Sequence, residues 1–203
     1  PEQLIADCGA WWDTSIIDIH PGRIAIRGYP IEELIGNVRF PDMIWLMLRG
    51  ELPTRAQGDL LEAAMVPGVD HGPHAPSIAI AQMAVSCGLP VNGAMASAIN
   101  VLDDVHGGAG EQCMELYREI DAAAGSDGDL VAAAEKVIRG RMAAGDRIVP
   151  GFGHRFHPID PRTAPLLAPV AKAQTAGAVS GRWAALGHAA ESAPQTLKGR
   201  HTP

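Results

Sequence analysis

The sequence has few aromatic residues, few cysteines and no long apolar run. Aromatic residues make up 4% of the 203 residues. The apolar content comes largely from Ala, Leu, Ile and Met, which favours helices packed through small side chains. No apolar run reaches the roughly 18–20 residues needed to span a bilayer. The N-terminus also lacks the basic and apolar regions of a signal peptide. These absences argue against a membrane protein and predict a cytoplasmic one.

Charge and cysteine usage limit the expected binding partners and the expected cellular compartment. Basic residues number 16 against 23 acidic ones, a net charge of −7, and no basic stripe is present, so nucleic acid is not an expected partner. Cys8, Cys87 and Cys113 have no CxxC spacing. An odd set of this kind fits a reducing compartment and favours neither a disulfide framework nor a zinc site. A hydrophobic content of 47% supports a real core, in one domain or in one large and one small lobe.

The apolar pattern predicts a mainly helical chain with one N-terminal hairpin. Ile17, Ile19, Ile24 and Ile26 alternate on either side of Pro21–Gly22, as expected for two short paired strands. From residue 30 onward the spacing becomes helical. The predicted helices cover 31–35, 42–48, a segment starting at 53–54, 78–87, 91–105, 111–124, 129–144, a segment after 160–162, and 177–190.

Three of these helices carry specific expectations. The segment 42–48 is apolar on all sides, so it is expected to be buried, with its Met and Trp side chains in the core. The helix over 91–105 would place His106 at a helix end or a helix–helix junction. Pro165 and Pro169 are expected to limit how early the helix after residue 162 starts.

Two histidines flanked by glycine are the strongest functional signal. His106 lies in Asp-Val-His-Gly-Gly-Ala-Gly (104–110) and His154 in Pro-Gly-Phe-Gly-His-Arg (150–155). Glycine lets backbone and substrate approach the imidazole closely, and histidine exchanges protons near neutral pH. One such histidine is more often a turn residue than a catalyst. Two of them, with the carboxylate-matching fork of Arg162, predict a helix-lined pocket for an anionic ligand.

The remaining histidines allow other interpretations. His71 and His74, at i and i+3, could be zinc ligands, although the sequence has no HExxH helix and no cysteine pair. This leaves a metal-dependent hydrolase as an alternative. The histidines expected to be surface residues or otherwise satisfied are His20, His157, His188 and His201.

Three motifs, in their order and spacing, resemble the citrate synthase superfamily. They are Asp-His-Gly-Pro-His-Ala-Pro-Ser (70–77), Val-His-Gly-Gly-Ala-Gly-Glu (105–111) and Gly-Phe-Gly-His-Arg followed by Asp-Pro-Arg (151–162). The hairpin over 15–34 resembles that family's N-terminal entry, and the likeness covers most of 14–190. Citrate synthases usually carry Asn where this chain has His74 and Gly110. The Asp-His-Gly-Pro form is closer to citryl-CoA lyases and to the lyase module of ATP-citrate lyase.

The resemblance implies a mainly α, citrate synthase-like fold. One domain would span 1–203, with a large helical lobe over about 1–112 and 163–203 and a smaller lobe over about 113–162. It also implies an obligate homodimer with a large helical interface. The expected ligands are a CoA thioester and a dicarboxylate or tricarboxylate, and no metal or redox cofactor is expected.

The resemblance also implies carbon–carbon chemistry at named residues. His106 would hydrogen-bond the thioester carbonyl and stabilise the acetyl-CoA enolate. His154 would bind the oxaloacetate carbonyl, or the citryl hydroxyl in reverse, and move its proton. The substrate-binding candidates are His71 and Arg162, which would hold carboxylates, together with His74 and Arg155. The loop expected to run along the CoA consists of Val149, Pro150, Gly151, Phe152 and Gly153.

One departure from the family concerns its catalytic aspartate. The family places that aspartate, and a further carboxylate-binding arginine, well after the second histidine. Here no Asp follows Asp160 and the only later acid is Glu191, so the tail over 197–203 resembles a chain cut before that segment. Loss of a general base typically removes about 10²–10⁴-fold of rate. Three functions therefore stay open within the family: a citryl-CoA lyase-like enzyme, a citrate synthase, and a truncated non-catalytic member that binds CoA or a dicarboxylate.

Overall fold

The computed structural model describes residues 2–126, 128–154 and 157–198. In these ranges it contains ten α-helices and one three-stranded antiparallel sheet. The contacts divide the chain into two compact units, Pro1–Val66 and Pro67–Pro203. None of the described helices is long and apolar enough to cross a membrane. The lobe boundaries implied by the resemblance stay a prediction.

The first unit holds the predicted hairpin. Strands β1 (Ile17–His20) and β2 (Arg23–Ile26) pair antiparallel, with Ile17 opposite Ile26 and Ile19 opposite Ile24. A third short strand, β3 (Tyr29–Pro30), extends the sheet beside β2. The unit's helices are α1 (Glu2–Trp11), which the sequence pattern did not predict, α2 (Ile31–Leu34), α3 (Phe40–Arg49) and α4 (Arg55–Met65).

Helix α4 begins as its sequence signal predicts, whereas α3 is less buried than predicted. The Thr54 side chain accepts the N–H of Gln57, and the Gln57 side chain accepts the N–H of Thr54, forming a capping box.

In α3 only Leu46 is fully buried, while Leu48 is 78% exposed. The prediction that this helix is buried on all sides was therefore wrong. One face packs on α4, and the described residues of its unit leave the face with Leu48 uncovered.

The second unit is helical and builds its core from small residues. A 3₁₀ turn (Val66–Gly68) spans the boundary between the units, and the helices of the second unit are α5 (Pro76–Ser86), α6 (Val91–Ile99), α7 (Ala109–Ala124), α8 (Leu130–Ala144), α9 (Thr163–Thr175) and α10 (Arg182–Lys198). Helix α5 packs on α6, and α8 packs on both α7 and α10. The buried cluster consists of Leu116, Ile120, Ala133, Ala134, Ile138, Leu186, Ala189, Ala190 and Ala193. Five alanines among nine members confirm the predicted packing through small side chains.

Several helix boundaries differ from the prediction, most of all those of α10, which spans Arg182–Lys198 where the pattern predicted 177–190. Helix α6 ends at Ile99, six residues early, and a loop with its own hydrogen bonds connects it to α7. His106 thus lies at a helix–helix junction, as one of the two expectations stated. Helix α9 starts at Thr163 despite its prolines. Pro165 lies in the first turn, where N–H groups have no intrahelical partner, and Pro169 removes only one later bond.

Candidate active site

The first glycine-flanked histidine is held by the start of helix α5. The main-chain N–H of Ser77 donates to Nε2 of His106 at 3.2 Å, and the Ser77 hydroxyl oxygen lies 3.0 Å from the same nitrogen. A nitrogen that accepts an N–H has no proton of its own. The neutral His106 ring therefore carries its hydrogen on Nδ1, which is left as a donor.

The glycines after His106 are required by the shape of its loop. The N–H of Asp103 donates to the carbonyl of His106, and the N–H of Gly108 donates to the carbonyl of Asp103. Gly107 has a φ of +113°, which L side chains rarely adopt. A Cβ on Gly108 would lie 2.6 Å from the carbonyl oxygen of Asp104. The two glycines therefore form a tight turn that fixes the imidazole beside α5.

The second glycine-flanked histidine is held by its own loop. Nδ1 of His154 accepts the main-chain N–H of His157 at 3.1 Å. The rings of these two histidines lie 4.5 Å apart between centroids, with planes inclined by 31°. By the same reasoning as for His106, the neutral His154 ring carries its hydrogen on Nε2.

His154 lines a cavity with a volume of about 440 Å³. The walls are mainly apolar and come from helices α7, α9 and α10 and from the loop before His154. Residues at the cavity include Tyr117, Gly151, Phe152, Gly153, His154, Asp160, Leu167, Val170, Trp183, His188 and Glu191. Glu191, the chain's only acid after Asp160, thus shares a cavity with His154.

The loop expected to run along the CoA is fixed on its inner side. Val149 and Phe152 pack against the buried helical cluster. The Phe152 ring meets the Tyr117 ring edge-on, at 6.3 Å between centroids. Burial raises the pKa of the Tyr117 hydroxyl, and a hydrogen bond with Cys113 acts in the same direction. Helix α7 therefore supports this loop and leaves the backbone of Gly151 and Gly153 at the cavity.

Arg162 is engaged by a neighbouring carboxylate. Its Nε and Nη2 donate to the two oxygens of Asp160 at 2.9 and 2.6 Å, and its main-chain N–H adds a third bond at 2.9 Å. The side-chain hydrogen bonds with Arg162 hold the pKa of the Asp160 carboxyl well below its usual range, and in turn raise the pKa of Arg162. The Nη1 edge of Arg162 does not take part in this bidentate pair.

His71 and Arg162 line one shallow depression of about 310 Å³, together with Asp160. Asp160 also lines the larger cavity, so it lies between the depression and His154. Among the residues the structure describes, His106 lines neither space, and its link to the first motif is Ser77. His74 is exposed on the loop that carries His71. Arg155 lies outside the described residues.

Sequence reasoning missed three side chains at these sites. Ser77 is the last residue of the first motif, but its contact with His106 spans 29 positions and leaves no local signal. His157 and His188 were interpreted as surface residues, and both are exposed. Even so, His157 contacts His154 and His188 lines the cavity. The described residues contain no cluster of three or more His, Cys, Asp or Glu side chains suited to a metal ion.

Comparison with known families gives one extensive match. The model of the citrate synthase C-terminal domain matches residues 8–67 and 56–201, which together cover nearly the whole chain. A citrate synthase of Haloferax volcanii is 29% identical over 136 residues. That alignment covers 66% of this chain and 33% of the relative, so this chain spans about a third of the curated relative it matches.

Solved structures give the same fold. Citryl-CoA lyase from Hydrogenobacter thermophilus superposes with a TM-score of 0.78 at 29% identity, over 94% of this chain and 70% of the lyase. ATP citrate lyase from Methanothrix soehngenii, solved in complex with citrate and coenzyme A, superposes with a TM-score of 0.74. At 18% identity, over 94% of this chain and 30% of that one, it supports the fold alone.

Proposed function

This chain belongs to the citrate synthase family, and we propose on that premise that it is a citryl-CoA lyase-like enzyme, cleaving citryl-CoA to acetyl-CoA and oxaloacetate. The resemblance inferred from the three motifs and the mainly helical fold with its N-terminal hairpin are both confirmed. The match to a citryl-CoA lyase over 94% of the chain supports the lyase assignment, as does the Asp-His-Gly-Pro form of the first motif.

The observation that carries the proposal is the shared arrangement of His106 and His154. Each imidazole has one nitrogen bonded to a main-chain N–H, from Ser77 or His157. Each neutral ring therefore carries its hydrogen on the other nitrogen. Carbon–carbon cleavage beside a thioester develops negative charge on the thioester oxygen, and a fixed donor at that oxygen lowers the barrier. Two such donors suit a reaction with two carbonyl oxygens.

The roles proposed for the two histidines are those that the family resemblance implies. Nδ1–H of His106 hydrogen-bonds the thioester oxygen and stabilises the enolate. Nε2–H of His154 hydrogen-bonds the oxygen that is a hydroxyl in citryl-CoA and a carbonyl in oxaloacetate. In the net cleavage the hydroxyl loses one proton and the new methyl group gains one. Arg162 binds a substrate carboxylate through its Nη1 edge, beside His71, while Asp160 holds the other edge.

The CoA chain is proposed to run along Val149–Gly153 into the cavity beside His154. Backbone at Gly151 and Gly153 is accessible there because neither residue has a side chain. The mainly apolar walls suit the thioester arm, and the loop's inner side is anchored on helix α7. His74 and Arg155 stay candidates for substrate binding.

The active form is proposed to be a homodimer. Helices α5 and α6 leave several large apolar side chains exposed, among them Met83, Met95 and Ile99 at 58–61%. An apolar face of this kind on a pair of packed helices is typical of an obligate helical interface. The second copy would cover it.

A second candidate is citrate synthase, which adds hydrolysis of the thioester. The 29% identity to a citrate synthase supports it. Two assays separate the candidates. A lyase converts citryl-CoA to acetyl-CoA, which chromatography detects. A synthase releases free CoA thiol from acetyl-CoA and oxaloacetate, which a thiol reagent detects.

The same assays test the role of His106. His106→Ala is expected to lower kcat by about 10²–10³-fold, because it removes the donor at the enolate oxygen. His20→Ala, on the exposed end of β1, is the matched control and should leave the rate unchanged. Calorimetric binding of CoA without turnover in either assay would instead favour the non-catalytic member. Stoichiometric zinc in the purified protein would favour the metal-dependent hydrolase.

A further inference from the structure

His157 makes two separate contacts with His154. Its main-chain N–H donates to Nδ1 of His154 at 3.1 Å, and its ring lies 4.5 Å from the His154 ring at an inclination of 31°. The two residues are three positions apart in the sequence, and Pro158 follows His157. One contact uses backbone and the other uses a side chain, so they can be removed independently.

The backbone contact decides which nitrogen of His154 is a donor. An imidazole in its neutral form has one N–H and one acceptor nitrogen. Because Nδ1 accepts from His157, the acceptor is fixed on that side and Nε2 carries the hydrogen. Without the donor the two tautomers would compete, and in one of them Nε2 would present a lone pair to the substrate oxygen.

The ring contact limits how His154 turns. Rotation about the bond between Cβ and the imidazole is soft for histidine, so an isolated ring samples many orientations. A second ring packed beside it restricts this rotation. Asp160, whose carboxylate interacts electrostatically with His154, lies on the following segment of the same loop. The His157 side chain is itself exposed, so it adds little to the core.

We propose that His157 is a positioning residue that sets both the tautomer and the orientation of His154. The proposal rests on the role given to His154 in the proposed function. His157 thereby becomes part of that site, although it acts on the substrate only indirectly, through His154. The arrangement parallels that of Ser77, whose main-chain N–H fixes the opposite tautomer of His106.

Three substitutions at one position separate the two contacts. His157→Phe keeps the N–H and a stacked ring, so kcat should stay within about threefold of wild type. His157→Ala keeps the N–H and loses the ring, and a lost aromatic pair lowers kcat by roughly 3- to 10-fold. His157→Pro loses the N–H as well. Misplacing a reacting group by about 1 Å costs on the order of 10²-fold, which is the loss expected there.

Kinetics of citryl-CoA cleavage give the ranking, with KM expected to change less than kcat. His20→Ala controls for the loss of a histidine, and circular dichroism checks the fold. If His157→Pro does not fold, the comparison of Phe with Ala still tests the ring contact. Equal kcat for Phe and Ala would remove the orienting role of the ring.

Nitrogen-15 NMR of the His154 ring tests the tautomer without any turnover. In the wild-type protein, Nδ1 should show the shift of an unprotonated acceptor and Nε2 that of a protonated nitrogen. The same signals should hold in His157→Ala and become mixed in His157→Pro. Unchanged signals in the folded Pro variant would overturn the proposal. A protein that cleaves no citryl-CoA but shows the expected signals would contradict the proposed function and leave the role of His157 intact.

Discussion

The main-chain N–H of Ser77 donates to Nε2 of His106 at 3.2 Å, which joins two motifs lying 29 positions apart. The donor belongs to the first turn of helix α5, where N–H groups have no partner within the helix. The N–H of Ser77 instead donates to His106, and this bond places the hydrogen of the neutral His106 ring on Nδ1. The Ser77 hydroxyl oxygen also lies close to this nitrogen, at 3.0 Å, but the main-chain N–H alone is enough to set the tautomer.

Ser77→Ala is therefore expected to be mild. The variant keeps the main-chain N–H, so His106 keeps its Nδ1–H donor, and kcat should fall by less than about tenfold, the value of one ordinary hydrogen bond. His106→Ala, by contrast, should lose about 10²–10³-fold. Steady-state cleavage of citryl-CoA measures both. A loss in Ser77→Ala as large as that in His106→Ala would show that the hydroxyl, and not the backbone, holds the ring.

Local capping signals in the sequence predicted the starts of helices α4 and α8. Thr54 caps α4 and Asp129 caps α8 through their own side chains, and both contacts are made within three residues. The end of α6 could not be predicted in this way. Apolar spacing continues to Val105, yet the chain leaves the helix at Ile99 because the His106 loop supplies its own hydrogen bonds.

The candidate site was predictable in its residues more than in its contacts. His106, His154, His71 and Arg162 stand out by their glycine neighbours and charge. Their partners do not, because the approach of Ser77 to His106 depends on how two helices pack. The hydrogen-bond partner of Arg162 could not be predicted from the sequence either. Asp160 belongs to the Asp-Pro-Arg motif, but only the structure shows that its carboxylate binds the Nε and Nη2 edge of Arg162.

Gly151→Ala is expected to damage the proposed CoA loop more than Gly153→Ala. Both glycines have a positive φ, +80° and +84°, so each alanine costs about 1–2 kcal/mol of backbone strain. A Cβ on Gly151 would also lie 2.6 Å from Sγ of Cys113, whereas Gly153 has open space. That overlap should add about 1–3 kcal/mol. Urea unfolding compares the two variants, and an equal loss of stability would contradict the contact with Cys113.

Asp160→Asn should lose stability only at pH values where the wild-type carboxylate is ionised. Arg162 lowers the pKa of Asp160 in the folded state below its ordinary 3.8. The resulting stabilisation is present above about pH 4 and is lost as the pH falls through the lowered value. Urea unfolding at several pH values should therefore show the gap between wild type and variant closing below pH 4.

The control for this prediction removes the partner. In an Arg162→Gln background the carboxylate has lost its bidentate donor, so Asp160→Asn should change stability little at any pH. A gap that stays constant from pH 7 to pH 3 in the otherwise wild-type chain would assign the effect to packing and not to the ion pair.

Gly58→Ala and Gly140→Ala are expected to change stability in opposite directions, although both glycines lie inside helices. A Cβ on Gly58 would overlap Oδ1 of Asp42 and lie 2.5 Å from Nη2 of Arg39. It would therefore separate an ion pair whose hydrogen bonds measure 2.9 Å. Overpacking of this kind costs about 1–3 kcal/mol. Gly140 has open space around it, so alanine there should gain about 0.5–1 kcal/mol of helix propensity. Thermal unfolding measures the change in stability of both variants. A Gly58→Ala variant more stable than wild type would refute the predicted overlap with Asp42 and Arg39.

Ile99→Glu should dissociate the proposed homodimer. Ile99 is 61% exposed at the end of α6, on the helix pair proposed as the interface. An unpaired charge buried in an apolar interface costs several kcal/mol, so the dissociation constant should rise by at least about tenfold. Sedimentation across a concentration series measures it. Val131→Glu is the matched control, since Val131 is 41% exposed in the first turn of α8, where an acidic residue is favourable. A dimer unaffected by Ile99→Glu, or a wild-type protein that is monomeric at all concentrations, would exclude this interface.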